Sequence, residues 1–553
     1  MEIDVLVIGS GAAGLATAVV AAHHGLRVLV VEKSNYYGGT TAYSLGAPWI
    51  IANKHQPPLQ LEDSPEKGDE YLRQTLGDLY DADKVSAYIE SGKDMVAFME
   101  EKTEVRWDGI PMPDYFPDAQ GAAFGRTMLT RAYDGRRLGK KYLNQIRPPL
   151  PGFSVFGDMQ VDPREAGHLT NSLKNRQDFL YAAKKFLTYI KDKIVYGRGA
   201  YLANGNALIG ALMKSALDSG VQLWRSAPAT RLLTDNGAVV GAIVQREGVA
   251  VTITAKKGVV LASGGFGANP ELRAKYIPLA DSHISVQPDE NTGDGIRIGQ
   301  EAGGALGAVN PENGVWAPVS IMVNKDGSLS KYPHFGPDRG KPGSIIVDQS
   351  GKRFANEAAP YQTFVNIMQK NNITTAYFIG DHKFLRSYGM GFALAAPYPI
   401  GHFIKNGYLI KAPTITALAA KLGINPQTLS ETIAVFNSHA MDGNDPEFNR
   451  GGNAYDNSQG DFNHTPNPNL APLSEGPFYA VAIHPGDVST VLGMKTTVDA
   501  QVMTEEGAVI NGLYAVGLDQ NSVMRGVYPG GGSGIGPGMT FGYRAAKHLA
   551  AKS

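Results

Sequence analysis

No cysteine occurs in the 553 residues, which excludes disulfides, thiolate metal ligands, cysteinyl attachment of a prosthetic group and any thiol relay. An excess of one charge is also lacking. The chain has 51 Lys and Arg against 52 Asp and Glu, a net charge of −1, so no global field holds it on nucleic acid or on an anionic membrane. Apolar stretches are repeatedly broken by Gly and charges, and no run of about 20 residues is long enough to span a bilayer, which leaves only peripheral contact open. The N-terminus MEIDVLVIGSGAAGLA enters a strand pattern without a basic leader or small-residue cleavage site, so a cytoplasmic protein is expected. Twelve histidines occur without HExxH or other ligand spacing, and no metal is expected.

What is present is an ordinary globular composition, 43% hydrophobic and 19% charged, in a chain long enough for two or more domains. Residues 3–8 (IDVLVI) predict a strand, residues 12–24 a helix and Arg27–Glu32 a second strand, together a βαβ unit of the right-handed crossover type. Residues 59–101 read as helical, 204–219 as a further helix, and the stretch from Val221 to Gly265 as strands alternating with turns. Between about Asn269 and Pro472 the texture changes to longer polar loops rich in Asn, Pro and Tyr, loopiest at 442–474, and a helix is expected at about Met539–Ala551. The expected fold class is α/β. Residues 1–275 and 476–553 would form a Rossmann-like domain, with an inserted α+β catalytic or cap domain at 276–475.

Between the first strand and helix, Gly9, Gly11 and Gly14 satisfy GxGxxG, with Ala12 and Ala13 between the last two, and Glu32 closes the second strand eighteen residues after Gly14. That context is what a dinucleotide site requires. The first glycine permits the tight turn, the second lets backbone approach a pyrophosphate, and the third lets helix and strand pack closely. The helix N-terminus then faces the phosphates. Glu32 would accept hydrogen bonds from ribose hydroxyls and disfavour a 2′-phosphate. Beyond Lys33, a second small-residue patch with Gly38, Gly39, Thr40, Thr41 and Ser44 could let a flavin lie against backbone, or could be a flexible loop. Asp294, in TGDG before a helix-like stretch, is either a cofactor contact or a helix N-cap.

The segments DVLVIGSGAAGLA, VEKSNYYGGTTAYS, GVVLASGGF (with Gly264), NTGDG and GLYAVG (with Gly517 at its end) stand in an order that resembles the FAD-dependent oxidoreductases that include flavoprotein fumarate reductases and 3-ketosteroid dehydrogenases. More specifically, YPGGGSGIGPGMTFGY at 528–543, PDYFP at 113–117 and RFANEAAPY at 353–361 resemble 3-ketosteroid Δ1-dehydrogenases. The resemblance implies that 1–275 and 476–553 are an FAD-binding domain of the glutathione-reductase type, that the FAD is non-covalent and held in part by Gly534 and Ile535, and that a cyclic ketone substrate and an external electron acceptor are used. It implies that Tyr528 and the Gly532 N–H bind the ketone oxygen, that Tyr361 takes the α proton, and that Tyr115 assists Tyr361. The chemistry is coherent by itself, because an α carbon is acidic only if charge can move onto an oxygen gripped by donors.

Some residues depart from the steroid-enzyme pattern. AYSLGAPW places Leu45, Pro48 and Trp49 near the flavin-binding stretch, and residues 138–200 and 442–470 fit poorly. A smaller cyclohexanone-type substrate therefore stays open. Trp107 and Tyr201 are either pocket-lining or packing residues. Two rivals remain: a fumarate-reductase-like enzyme clamping dicarboxylates with Arg525, His402 and His484, although the expected HGxxR-like segment is absent, and a non-catalytic flavin-binding protein.

Overall fold

The computed structural model describes residues 1–172 and 174–552. Its first sheet is built from β1 (Glu2–Ile8), β2 (Val28–Val31), β3 (Gln222–Trp224), β4 (Ala229–Asp235), β5 (Ala238–Arg246) and β6 (Val249–Leu261), ordered β4–β5–β6–β1–β2–β3. The strands β6, β1, β2 and β3 run parallel. Strands β1 and β2 are almost wholly buried, as expected of parallel strands covered by helices on both faces. The first helix, α1 (Ala12–His23), packs against the C-terminal helix.

The second sheet contains β7 (Gly314–Val323), β8 (Leu329–Pro333), β9 (Ser344–Val347), β10 (Ala376–Gly380) and β11 (Phe478–Thr490), ordered β8–β7–β11–β10–β9. Two short strands at 284–285 and 410–412 also pair with β11. Phe478–Thr490 was grouped by sequence with the returning segment, yet it is the central strand of this sheet. The return to the first sheet therefore begins after it, with β12 (Gln501–Met503) and β13 (Val509–Ala515), the latter pairing with β6. The alternating apolar texture of 478–490 suits either sheet, and only its partners decide between them.

The helical stretch expected over 59–101 is two helices, α2 (Pro65–Leu76) and α3 (Ala82–Lys102). Gly77 in a positive-φ conformation and the Asp81 N-cap separate them. The remaining helices used below are α4 (Arg176–Tyr196), α5 (Asn204–Asp218), α6 (Tyr361–Lys370), α7 (Ala454–Gln459) and α8 (Ile535–Ala551). Helix α8 starts four residues before the expected point, running through Gly536, Pro537 and Gly538. None of the helices among the described residues is long and apolar enough to cross a membrane.

Candidate active site

One cavity of about 1980 Å³, mouth included, runs along the first sheet and ends between the sheets. Gly9, Gly11, Ala12, Ala13, Gly14, Glu32, Lys33, Gly39, Thr40, Thr41, Ser44, Gly264, Asp294, Gly517, Gly534 and Ile535 all line it, as do Tyr115, Tyr361, Tyr528 and Gly532. Residues hundreds of positions apart thus meet on one surface.

The glycines divide by physical role. A Cβ on Gly9 would collide with the Ala262 carbonyl, and one on Gly14 with the Gly9 carbonyl, so these two let backbone segments pack. A Cβ on Gly11 would meet only the Thr41 hydroxyl at 3.7 Å, and one on Gly534 would meet nothing within 4 Å. They leave a cradle where a ligand can approach backbone. Helices α1 and α8 both begin at this cavity with glycine N-caps that supply no side-chain bond, turning the positive ends of their dipoles toward a site that suits an anion. A dinucleotide with a pyrophosphate fits this set.

Glu32 is buried and accepts from the Ser10 N–H (3.2 Å), the Ser10 hydroxyl (2.5 Å) and the Ser34 N–H (2.9 Å). Burial pushes its carboxyl above the usual carboxylate range, opposed by those donors. Lys33 binds the Thr292 hydroxyl and Asp294, both at 2.6 Å. Asp294 is not an N-cap, because Gly293 occupies that position.

At the other end three phenols form a triangle. Ring centroids lie 5.6 Å apart for Tyr115 and Tyr361, 5.8 Å for Tyr115 and Tyr528, and 5.6 Å for Tyr361 and Tyr528. The Gly532 N–H points at the Tyr528 hydroxyl over 3.4 Å, so two donors converge where one carbonyl oxygen can sit. Burial, and then the neighbouring phenols Tyr115 and Tyr528, push Tyr361 well above the usual tyrosine range. Tyr115 is pushed up likewise, chiefly by burial. Burial also raises Tyr528, with Tyr361 and the Gly532 N–H opposing.

The loop 528–533 is held by its carbonyls. That of Pro529 accepts from the Tyr71 hydroxyl (2.7 Å) and the Tyr115 N–H (2.9 Å), that of Gly531 from the Thr127 hydroxyl (2.8 Å), and that of Gly532 from the Trp49 N–H (3.2 Å). A Cβ at Gly532, whose φ is 103°, would strike the Ala47 carbonyl. Trp49 in turn donates to Asp114 (2.8 Å), next to Tyr115. Arg126, with no exposed side-chain surface, binds Asp114 at 2.7 Å and Asp63 at 2.6 Å. Burial pushes the Asp114 carboxyl up to about 6, against the pull of Arg126. Tyr361 starts α6, behind a segment fixed by Arg353, which is paired with Glu357 and Asp445, and by Arg339, which donates to the carbonyls of Glu357 and Ala359.

Sequence reasoning missed Tyr455. It lies on α7 and lines the cavity with its ring 4.8 Å from that of Tyr115. Burial raises its phenol, and the Arg339 guanidinium pulls it back. Phe335, also missed, packs edge-on at 5.1 Å against Tyr361. Of the uncertain pair, Trp107 is buried in the main core, and Tyr201 lies in a separate cavity beneath α4, bonded to Glu165. His402, His484 and Arg525 do not line the main cavity. His484 bonds to the Thr374 carbonyl, and Arg525 bonds to Asn310.

A Rossmann-type sheet, a glycine cradle at two helix N-termini and a phenol-lined chamber define an FAD-dependent oxidoreductase. The model of the FAD binding domain family matches residues 4–535, and the chain belongs to that family. It is 42% identical over 560 residues to 4-oxocyclohex-2-ene-1-carboxylate 5-dehydrogenase of Sinomonas cyclohexanicum, covering 99% of this chain and 93% of that one. It is 34% identical over 569 residues to 3-oxosteroid 1-dehydrogenase of Mycolicibacterium smegmatis, covering 100% and 97%. Among solved structures, 3-ketosteroid delta1-dehydrogenase of Sterolibacterium denitrificans, in complex with 1,4-androstadiene-3,17-dione, superposes with a TM-score of 0.90 at 35% identity over the whole of both chains.

Proposed function

We propose that this chain is an FAD-dependent dehydrogenase that introduces a C=C bond between the α and β carbons of a neutral ring ketone. The observation that carries the reading is the convergence of Tyr528, Gly532 and Tyr361 at the end of the cofactor cavity. The Tyr528 hydroxyl and the Gly532 N–H hold the ketone oxygen and stabilise the charge that develops there as the α proton leaves. Tyr361 takes that proton, and Tyr115 hydrogen-bonds to it. When bound, FAD supplies the hydride acceptor for the β carbon. Gly9–Gly14 and the start of α1 hold its pyrophosphate, Glu32 its ribose, and Gly39–Ser44, Gly517 and the start of α8 its flavin side. The absence of cysteine supports non-covalent attachment.

The chamber walls around the phenols include Met112, Leu129, Leu150, Phe335, Pro337 and Val488. Lys33 and Arg147 are the cationic residues lining the cavity among the described residues, and each is paired, with Asp294 and Glu290 respectively. A ring carrying a carboxylate, as in the name of the 42%-identical relative, finds no unpaired cation here, whereas an uncharged 3-ketosteroid or cyclohexanone does not need one. Anaerobic mixing of oxidised enzyme with a 3-ketosteroid, cyclohexanone and 4-oxocyclohexanecarboxylate tests this. Rapid bleaching of the flavin by the neutral ketones is expected. Bleaching by the carboxylate alone would overturn neutrality, and bleaching by none of them the reaction class.

A further inference from the structure

Helix α4 is amphipathic the wrong way round. Among its 21 residues only Tyr189 and Asp192 are buried, and the face turned to the protein is polar. There Asp178 meets His168, Lys185 meets Glu165, Tyr189 donates to Asp158 at 2.6 Å, and Asp192 pairs with Arg136 at 2.8 Å. The opposite face carries Phe179, Phe186, Leu187, Ile190 and Ile194, spaced as one stripe of a helix with 3.6 residues per turn. All are exposed, Leu187 at 67% and Ile194 at 79%. Phe156, also exposed, extends the patch by packing edge-on to Phe186 at 5.3 Å. A helix held by ion pairs with its apolar stripe in water needs a partner for that stripe.

The flanking charge identifies the partner. Lys184 and Lys191 border the stripe on one side and Lys193 on the other, and Lys184 and Lys191 have no acidic partner among the described residues. The helix holds five basic residues against two acidic ones, in a chain whose net charge is −1. A second copy packed by two-fold symmetry would bring like charges together at both borders. We propose that α4 is an interfacial helix that seats this enzyme on an anionic phospholipid surface, with the stripe in the acyl boundary and the lysines among headgroup phosphates. Leu150 lines the main cavity, and three residues on Phe153 stacks on Phe335, another cavity residue, at 6.2 Å. The segment that carries Phe156 thus leads back along the chain to the chamber wall.

Flotation of the FAD-loaded enzyme with vesicles tests the proposal. The wild type is expected to rise with vesicles of phosphatidylcholine and phosphatidylglycerol in equal parts and to stay down with phosphatidylcholine alone. The double variant Leu187→Glu/Ile194→Glu should stay down with both while keeping its flavin and its turnover of a water-soluble ketone. Lys184→Glu/Lys191→Glu should bind at least about fivefold more weakly per lysine changed, and high salt should mimic it. This second variant carries the test if the first misfolds. Failure of the wild type to float with anionic vesicles overturns the proposal. So does equal flotation with both vesicle types, or a dimer seen by light scattering that Leu187→Glu/Ile194→Glu dissociates without any flotation having occurred.

Discussion

Replacing Tyr528 by Phe removes one hydroxyl from the chamber and leaves the ring to pack against Tyr115 and Tyr361. The Gly532 N–H, 3.4 Å from that hydroxyl, belongs to the backbone and remains, so the ketone oxygen keeps one of its two donors. Loss of one preorganised donor at a developing oxyanion costs about 3 kcal/mol, a factor of roughly 10²–10³ in rate. Because the bond strengthens as charge builds, the loss falls mainly on the rate of flavin bleaching and less on ketone affinity. Rapid anaerobic mixing over a range of ketone concentrations separates the two, and flavin absorbance checks that the variant is loaded. The fold is expected to hold, since a hydroxyl hydrogen bond contributes about 1 kcal/mol net. A bleaching rate within about fivefold of wild type, in a variant with full flavin, would remove Tyr528 from the mechanism.

Three further outcomes follow from the same geometry. Tyr361 is a phenol raised above its usual range by burial and by its phenol neighbours, and its ionised fraction grows about tenfold per pH unit below its pKa. The logarithm of the bleaching rate should therefore climb with pH from neutrality to about 10, and a plateau near neutrality would point to a carboxylate or histidine base. Arg126→Met leaves Asp63 and Asp114 buried without their shared cation, at a cost of about 3–5 kcal/mol visible in urea unfolding. A variant as stable as wild type would contradict the buttress described for the Tyr115 loop. Gly11→Val has room for its Cβ and a φ of −66° that any residue adopts, so the protein should fold but purify without FAD, and full flavin content would refute the cradle.

The βαβ unit was legible because GxGxxG constrains backbone, and backbone constraints show in single residue types. The three phenols were legible only through resemblance, since one tyrosine among 25 has no local mark of reactivity. Tyr455 stayed hidden in the loop-rich stretch, where its place beside Tyr115 depends on Asn356 bonding to Asp456 at 2.8 Å, a tertiary contact with no spacing rule. The buttress of Trp49, Asp114 and Arg126 is hidden for the same reason. Helix α4 shows the opposite limit. Its apolar period at 179, 186, 187, 190 and 194 is plain in the sequence, but periodicity fixes the stripe and not the direction it faces. That direction is set by Glu165, Asp158 and Arg136, which lie outside the helix.

Exchange of α-protons with D₂O, followed by mass spectrometry on a bound saturated ring ketone, tests the centre of the account without requiring hydride transfer. Wild-type enzyme should load deuterium at the α carbon, and Tyr361→Phe, fully charged with flavin, should lose that exchange by a factor of about 10² or more. Exchange at the wild-type rate in Tyr361→Phe would show that the phenol triangle is not where the proton goes.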